Sequence, residues 1–249
     1  VLNAPYREGY TFAGWYTTPD FSGEKVTTIN AETEGTLYAK WIDETWVIKY
    51  TSTDGNIVTP NATDVFGANI VSNVYENGVG TITFDGPVTS IGIRAFINRS
   101  SLTSITIPNS ITSIGTSAFY GCESLDSVNI PNSVNNLGWG AFRFCSSLKS
   151  IVIPNSVDSI GIYAFDGCTA LSSIQVVADN PVFDSREDCN AIIEKSTNSL
   201  ISGCSTTVIP NDVITICDDA GVSLPSEIGE LTKEICDTVK AKVFVEVCD

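Results

Sequence analysis

A 23-residue repeat is the feature that most constrains what this chain can fold into. An Ala-Phe pair, an Ile-Pro pair and a cysteine each recur at this spacing between about residues 79 and 175. The repeated positions are Ala95-Phe96, Ala118-Phe119, Ala141-Phe142 and Ala164-Phe165; Ile107-Pro108, Ile130-Pro131 and Ile153-Pro154; and Cys122, Cys145 and Cys168. A unit this short cannot bury its own apolar side chains, so successive units must stack. The repeat predicts a solenoid, which presents open surfaces rather than an enclosed cleft.

Residues 102–122 form one complete unit, and its pattern predicts a strand followed by turns. Apolar and polar residues alternate over Ser104–Ile107, which is the period of a strand with one buried face. Pro108 lacks a backbone donor and should end the strand. Two further isoleucines provide a second inward edge, and Gly115 is predicted to permit a tight turn. Each coil thus contributes apolar side chains to one shared interior.

The unit reads Leu-x-x-Ile-x-Ile-Pro-Asn-Ser-(Ile/Val)-x-x-Ile-Gly-x-x-Ala-Phe-x-x-Cys at residues 102–122 and recurs, with Leu137 replacing an isoleucine, at 125–145 and again at 148–168. This string resembles the BspA-like leucine-rich repeats of bacterial cell-surface proteins, which also occur in some parasitic protists. The resemblance implies a β-rich solenoid of 23-residue coils with short helical or 3-10 turns on the convex side. It assigns residues 79–217 to the solenoid and 44–78 to an N-terminal cap hairpin.

One coil is longer than the others. The register breaks after Gln175 and returns at Pro210, which lies 56 residues after Pro154, or one period of 23 plus 33, so ten residues are extra. In this longer coil, residues 176–207, two apolar runs flank Lys195–Asn198. That arrangement predicts a hairpin built into the wall of the solenoid.

The tail, residues 218–249, is predicted to form a helical cap, because both ends of a solenoid expose unpaired strands that need covering. Apolar residues in the tail are spaced by three and four, as on one face of a helix, with Ser226 as a candidate N-cap. The spaced residues are Ile228, Leu231, Ile235 and Val239. Val243–Val247 can add an edge strand.

Residues 1–43 differ from the repeats in composition and form another unit. Pro5–Tyr16, Phe21–Val26 and Gly35–Trp41 carry a distinctive aromatic spacing. They resemble the internalin-type B repeat, a small β-grasp-like unit of bacterial surface proteins. The first strand of that unit is missing before Val1. We expect a chain cut from a longer protein rather than a strand supplied by a partner.

Composition excludes several function classes. The 249 residues include 13 basic and 29 acidic ones, a net charge of −16, which argues against nucleic acid. No apolar run approaches the roughly 18 residues of a membrane helix. The chain has no histidine, so it lacks Ser-His and Cys-His nucleophile pairs, and we expect a non-enzyme without cofactor or metal. Asp184, Glu187 and Asp188 remain as a carboxylate cluster that is either solvated charge, a catalytic pair or a calcium site.

Seven of the eight cysteines divide into two groups, and Cys217 belongs to neither. Cys122, Cys145 and Cys168 share one column of adjacent coils and point the same way, a geometry that suits packed thiols better than disulfides. We expect them to be buried thiols. Cys189 with Cys204, and Cys236 with Cys248, stay open as alternatives between free thiols and bridges.

The strands should present two outward columns on a polar, uncharged concave sheet. The columns are Ser104, Ser127, Ser150 and Ser173, and beside them Thr106, Asn129, Val152 and Gln175. This surface offers hydrogen bonds to protein or glycan. Ser and Thr are also residues that exposed strands prefer, so the columns are either a binding surface or ordinary strand composition.

A second candidate site is aromatic. Trp139, Arg143 and Phe144 lie in the third coil, and Tyr120 and Tyr163 occur in its neighbours. Aromatic residues and arginine dominate binding hot spots. Trp139 either belongs to such a surface or packs between coils.

These features indicate a non-enzymatic fragment of a secreted or cell-surface protein. The resemblance implies adhesion to an extracellular host or neighbouring-cell protein or glycan. Two alternatives remain, a structural spacer that projects another domain and an accessory module that holds polysaccharide. Fold resemblance transfers only the category of binding, not the ligand.

Overall fold

The computed structural model describes residues 3–28 and 35–217, and this part of the chain consists almost wholly of strands and turns. The helical cap predicted for residues 218–249 lies outside the described residues. So does the Cys236–Cys248 pair. In the described part, no helix has the length and apolar character needed to cross a bilayer.

The N-terminal segment forms a three-stranded antiparallel sheet. Its strands are β1 (Tyr10–Tyr16), β2 (Lys25–Val26) and β3 (Tyr38–Asp43), in the order β2-β1-β3. The Phe12 ring packs edge-on against Trp15 and Trp41, with ring centroids 5.4 Å and 5.5 Å away. Edge-to-face contacts of this kind stabilise beyond the area they bury. The regularly spaced aromatic residues of the sequence thus pack against one another on this sheet.

A second group of strands covers the first coil. These are β4 (Val47–Ser52), β5 (Ile70–Glu76) and β6 (Val79–Phe84), and β5 and β6 form a hairpin. Asn77 and Gly78 occupy its turn with φ of 54° and 83°, the left-handed pair that a tight hairpin turn requires. β6, which the sequence places at the beginning of the solenoid, pairs antiparallel with β4 inside this cap.

The solenoid is built from two ladders of short parallel strands. In chain order its strands are β7 (Ser90–Ile91), β8 (Leu102–Thr106), β9 (Ser113–Ile114), β10 (Ser127–Asn129), β11 (Asn136–Leu137), β12 (Ser150–Ile153), β13 (Ser159–Ile160) and β14 (Ser173–Val176). β8 with β10 and β12 with β14 form the first ladder, which is interrupted between β10 and β12, while β7, β9, β11 and β13 form the second without a break. β4 extends the first ladder by pairing antiparallel with β8. The predicted stacked-coil architecture is confirmed.

Four phenylalanines run in single file through the interior. Phe96, Phe119, Phe142 and Phe165 are at most 4% exposed. Successive ring centroids lie 5.5, 5.2 and 5.6 Å apart, with interplanar angles of 1°, 9° and 1°. The equal spacing follows from the repeat, because each ring occupies the same position one coil further on. This file is the continuous core that the 23-residue register predicts.

The segment between the second and first ladders is not helical, so the prediction of helical or 3-10 turns there was wrong. Two positions per coil have left-handed backbone, which interrupts a right-handed helix. They are Arg94, Ser117, Gly140 and Tyr163, and then Asn98, Gly121, Phe144 and Gly167. Backbone groups between them bond to the next coil, as where Phe96 N donates to Ala118 O at 2.8 Å. The 3-10 segments of the described chain are Glu44–Trp46 and Arg186–Asp188.

Glycine recurs every 23 residues, at 92, 115, 138 and 161. The reason is not the tight turn that was predicted at Gly115. A Cβ at Gly138 would lie 2.5 Å from Thr116 N and 2.6 Å from the carbonyl carbon of Gly115. Gly138 N donates to Ile114 O at 2.7 Å. Its φ is not left-handed, so no unusual turn is involved. Glycine is needed because the backbones of adjacent coils approach too closely for a side chain.

The cysteine column consists of buried free thiols, as predicted. The Cys122, Cys145 and Cys168 thiols donate to the carbonyls of Phe96, Phe119 and Phe142 at 3.1, 3.2 and 3.2 Å. Burial raises the pKa of Cys122 and of Cys168 to about 12, and it raises the pKa of Cys145 well above its ordinary value. Cys189 and Cys204 are also free, so the alternative of a bridge between them is wrong.

The longer coil contains the predicted hairpin. After β15 (Phe183–Asp184), strands β16 (Ala191–Glu194) and β17 (Ser199–Gly203) pair antiparallel, and β18 (Thr215–Ile216) then pairs parallel with β17. Asn180, 1% exposed, joins this coil to the previous one. Its Nδ2 donates to Pro154 O and Val157 O, each at 2.8 Å, and its Oδ1 accepts from Val182 N and Phe183 N.

Substituting Gly138 by alanine should destabilise the solenoid by about 1–3 kcal/mol, the usual cost of forcing extra volume into a packed site. Gly86 is the matched control, because a Cβ there would meet only Ala68 at 3.9 Å and its backbone is not left-handed. Gly86→Ala should change the free energy of unfolding by less than about 1 kcal/mol. Urea unfolding measures both, and equal effects would contradict the close-approach explanation.

The buried thiols should make the protein lose stability above about pH 9. In the folded state the Cys122 and Cys168 thiols keep their protons up to about pH 12, and burial also raises the pKa of Cys145 well above its ordinary value, whereas an unfolded thiol releases its proton near its ordinary pKa. The unfolded state then binds fewer protons, so the free energy of unfolding falls by about 1.4 kcal/mol per thiol and pH unit.

The comparison of urea unfolding at pH 8 and pH 10 for the unmodified chain and Cys145→Ala isolates this effect from other alkaline titrations. The variant should lose less stability between the two pH values. Identical losses would show that the central thiol of the column ionises as easily in the folded state as in the unfolded state.

Candidate functional site

Two surfaces of the solenoid contain the residues predicted as sites, and the strand face is the first. We use this name for the outward residues of β8, β10, β12 and β14. Pairing sets Ser127 beside Ser104 and Asn129 beside Thr106, and likewise Ser150 beside Ser173 and Val152 beside Gln175. The structure therefore contains the two predicted columns of outward residues. Whether they bind a ligand stays a prediction.

The strand face is polar and mostly exposed. Ser104 and Ser173 are half-buried, and the other six column residues are exposed, including Val152 at 46%. Near the cap, Thr51 Oγ1 lies 2.6 Å from both Thr103 Oγ1 and Ser104 Oγ. The Ser104 hydroxyl thus already has a partner from β4. In the next coil, Ser127 Oγ donates to Asp126 Oδ1 at 2.9 Å.

The second surface is on the side formed by the left-handed turns. We call Tyr120, Trp139, Arg143, Phe144 and Tyr163 the aromatic patch. Phe144 and Trp139 are each 40% exposed, which is unusual for side chains of this size. The Trp139 ring contacts Tyr163 edge-on at 5.8 Å, and Tyr120 contacts Phe144 edge-on at 5.3 Å. The structure thus brings together all five residues that the sequence singled out.

Arg143 lies at the centre of the aromatic patch. Its guanidinium carbon is 4.6 Å from the Tyr163 ring centroid, 4.8 Å from that of Phe144 and 5.7 Å from that of Trp139. These distances are within the range of cation–π attraction. Arg143 Nε also donates to Asp166 Oδ2 at 2.7 Å, and both side chains are about a quarter exposed. Asp166 therefore fixes the cation against which the rings pack.

Two residues of the aromatic patch have strained backbone. Phe144 and Tyr163 each have φ of 60°, in the left-handed region that bulky residues avoid. Gly121 and Gly167 occupy the position of Phe144 in the neighbouring coils, and Gly140 precedes Tyr163 by one period. Left-handed backbone at a non-glycine residue costs about 1–2 kcal/mol. The third and fourth coils thus have aromatic rings where glycine would relieve strain.

The Phe144 ring rests on Gly167. A Cβ built at Gly167 would lie 2.1 Å from Phe144 Cδ1, so the ring occupies the space that a side chain would fill. Ile162, 52% exposed, occupies the position of Trp139 one coil further and extends the apolar surface. Asp166, Gly167 and Ile162 were missed in the sequence, although Asp166 follows Arg143 by one 23-residue period. That spacing was the available signal for the ion pair.

The carboxylate cluster considered for catalysis or calcium is organised around Arg186 instead. Arg186 Nε and Nη2 donate to the two oxygens of Asp184 at 2.8 Å, and its Nη1 contacts Asn198 and Asp212. The hydrogen bonds that Arg186 donates to Asp184 raise the pKa of Arg186 above its ordinary value. Glu187 and Asp188 are exposed. Among residues 3–28 and 35–217, no group of three or more acidic or cysteine side chains is arranged to hold a metal ion.

Comparisons with known proteins agree with this fold. Residues 69–187 match the BspA type leucine-rich repeat region in 6 copies, and residues 1–40 match the Listeria-Bacteroides repeat domain. Over these residues the solenoid is therefore similar to the BspA type repeats. No catalytic family is among these matches. No curated protein sequence matches the chain significantly.

Several solved structures are similar. A leucine-rich repeat protein from Eubacterium ventriosum is 24% identical, with a TM-score of 0.44; the match covers 53% of this chain and 42% of that protein, which is less than half of its length. One from Bacteroides capillosus is 29% identical with a TM-score of 0.36, covering 55% of this chain and 98% of that one. A leucine rich cell surface protein from Faecalibacterium prausnitzii is 26% identical with a TM-score of 0.25, covering 61% and 59%.

The strain at Phe144 gives a stability prediction. Phe144→Gly should be more stable than Phe144→Ala by about 1 kcal/mol, because both lose the ring and only glycine relieves the left-handed backbone. Phe142→Ala, which empties a fully buried ring position, should cost about 3–5 kcal/mol. Thermal unfolding of the three variants measures the order. An alanine variant as stable as the glycine variant would mean that the backbone at residue 144 is not strained.

Proposed function

We propose that this chain is a non-enzymatic binding module of an extracellular surface protein, and that it holds a protein partner through the aromatic patch. The observation that carries the proposal is the convergence of three aromatic rings on Arg143, with Trp139 and Phe144 each 40% exposed. Large rings beside an arginine are the composition that dominates protein–protein hot spots. The leucine-rich repeat region supports a binding or surface role rather than catalysis.

The cost of forming the aromatic patch supports a role beyond packing. The core of each coil is already filled by the phenylalanine file and the aliphatic columns. The strained Phe144 and Tyr163 add rings outside that core, where the flanking coils have Gly121 and Gly140. Strain that persists at an exposed site is often linked to function. A partner that covers these rings would offset the cost of the strained backbone at Phe144 and Tyr163.

The ion pair between Arg143 and Asp166 favours a preorganised surface. Arg143 has no freedom to search for a distant carboxylate, because Asp166 and the rings fix its guanidinium. Rigid side chains lose little conformational entropy when a partner docks. The patch therefore resembles a fixed anchor point for a partner with apolar or aromatic side chains.

We further propose that this chain lies outside the cell and takes part in adhesion. BspA-type repeats and the Listeria-Bacteroides repeat occur together in this chain, a combination in keeping with a bacterial surface protein. The partner would then be an extracellular host or neighbouring-cell protein. The alternatives are a spacer with no ligand of its own and an accessory module that holds polysaccharide.

An array of extracellular-matrix proteins and glycans, probed with the full 249-residue chain, separates these functions. We expect a protein on the array to retain the chain, and the double variant Trp139→Ala, Phe144→Ala to bind it at least about 30-fold more weakly, as truncated hot spots do. Ile93→Ala is the matched control, because Ile93 is 60% exposed in the same column as Trp139 but two coils away. It should bind normally.

The remaining outcomes contradict the proposal in different ways. A chain that no array component retains would be a spacer. Retention by glycans alone would identify an accessory module. A protein ligand whose affinity the double variant leaves unchanged would move the site away from the aromatic patch, provided that thermal unfolding shows the variant to be folded.

A further inference from the structure

A cleft separates the N-terminal sheet from the ends of the strand-face strands. It encloses about 550 Å³, and its walls include Tyr10, Lys49, Thr106 and Asn109. Glu44 N donates to Gly9 O at 3.0 Å, which continues the pairing of β1 with β3 into the segment that leads to β4. Ser110 Oγ donates to Thr45 O at 3.4 Å from the solenoid side. Volumes of this size are typical of small-molecule sites.

A second cavity continues the cleft along the solenoid. It encloses about 510 Å³, shares Asn109 and Asn129 with the first, and extends to Asn132 and Ser133. The two cavities form one groove that spans the second and third coils. We call this the amide groove, after Asn109, Asn129 and Asn132, whose side chains are all exposed.

The chemistry of the amide groove fits a ligand rich in hydroxyl groups. Each asparagine amide both donates and accepts, so three amides can pair with neighbouring hydroxyls of either polarity. The acidic residues Asp43 and Glu44 are set against Lys49, whose Nζ lies 3.9 Å from Glu44 Oε1. Lys49 is the one basic residue lining the described groove, so a phosphorylated or sulfated ligand would lack counter-charges.

Two hydroxyls in the walls of the groove lack hydrogen-bond partners. Thr11 is a lining residue of the first cavity and Ser133 of the second; both residues are half-buried, and their hydroxyl oxygens are buried without a partner among the described residues. Ser110 and Ser156, which precede and follow Ser133 by one period, donate to Thr45 O and Val134 O. A buried hydroxyl without a partner is destabilising, and a ligand that supplies the missing hydrogen bond would remove that cost.

We propose that the amide groove binds a neutral oligosaccharide, with Asn109, Asn129 and Asn132 pairing with sugar hydroxyls along two coils and Tyr10 packing against a ring at the first cavity. Amphipathic aromatic side chains such as tyrosine offer an apolar face to the C–H face of a sugar while the hydroxyl stays wet. The site shares no residue with the aromatic patch. The proposed sugar site can therefore be tested independently of the proposed protein-binding site.

Isothermal titration of the full chain with cellohexaose, xylohexaose, mannohexaose and maltohexaose tests the proposal. A trigalacturonate is included as an anionic comparison. We expect saturable binding of at least one neutral hexasaccharide and weaker binding of the anionic one. Asn109→Ala with Asn132→Ala should weaken binding about tenfold or more, as expected for the loss of two hydrogen bonds.

Asn155→Ala is the matched control, because Asn155 holds the same repeat position one coil beyond the groove and is equally exposed. It should leave the affinity unchanged, and so should Trp139→Ala with Phe144→Ala. If the double asparagine variant fails to fold, Asn129→Lys, a change at an exposed strand position, blocks the groove instead and should abolish binding.

Two results would overturn the proposal. One is the absence of heat of binding for all four neutral hexasaccharides at millimolar concentration. The other is binding that Asn109→Ala with Asn132→Ala, or Asn129→Lys, leaves intact. Loss of sugar binding in the Trp139 and Phe144 variant would place the carbohydrate on the aromatic patch and likewise refute the groove.

Discussion

The close approach of adjacent backbones at the glycine positions is the contact on which the rest of the solenoid depends. Gly138 lies against Gly115 and Thr116 of the preceding coil, with its N–H bonded to Ile114 O. This contact sets the separation of the coils, and the separation in turn allows the phenylalanine rings to stack nearly parallel. The cysteine thiols reach the previous coil's carbonyls for the same reason. One small residue per coil therefore keeps three columns in register.

Much of the fold was predictable because every coil repeats the same chemistry. The single file from Phe96 to Phe165, the thiol column and the hairpin around Lys195–Asn198 all follow from spacing alone. The turn side was not predictable, because left-handed backbone at Ser117 or Tyr163 has no signature in residue type. For the same reason, the sequence suggested a turn at Gly115, whereas the requirement there is contact between coils.

The candidate sites were predictable in part. Strand alternation was sufficient to place the two columns of the strand face, and residue type was sufficient to single out Trp139, Arg143 and Phe144. The sequence did not specify the contacts between side chains of neighbouring coils. It did not show that Asp166 fixes Arg143, that Gly167 accommodates the Phe144 ring, or that Asn109 and Asn132 line one groove. Such contacts depend on how far neighbouring coils are rotated and offset, which a one-dimensional period does not specify.

Asn180 shows how this architecture tolerates irregular length. Its one amide makes four hydrogen bonds to backbone groups, two on the previous coil and two on its own. A ten-residue enlargement is thereby joined to the stack without disturbing the columns before it. Lys195 and Asn198, at the two ends of the hairpin turn, are bonded to the coil, whereas Ser196 and Thr197 between them are exposed. Foreign peptide loops grafted there would be displayed at a fixed height on the wall, and their length could vary without any change to the coils beneath.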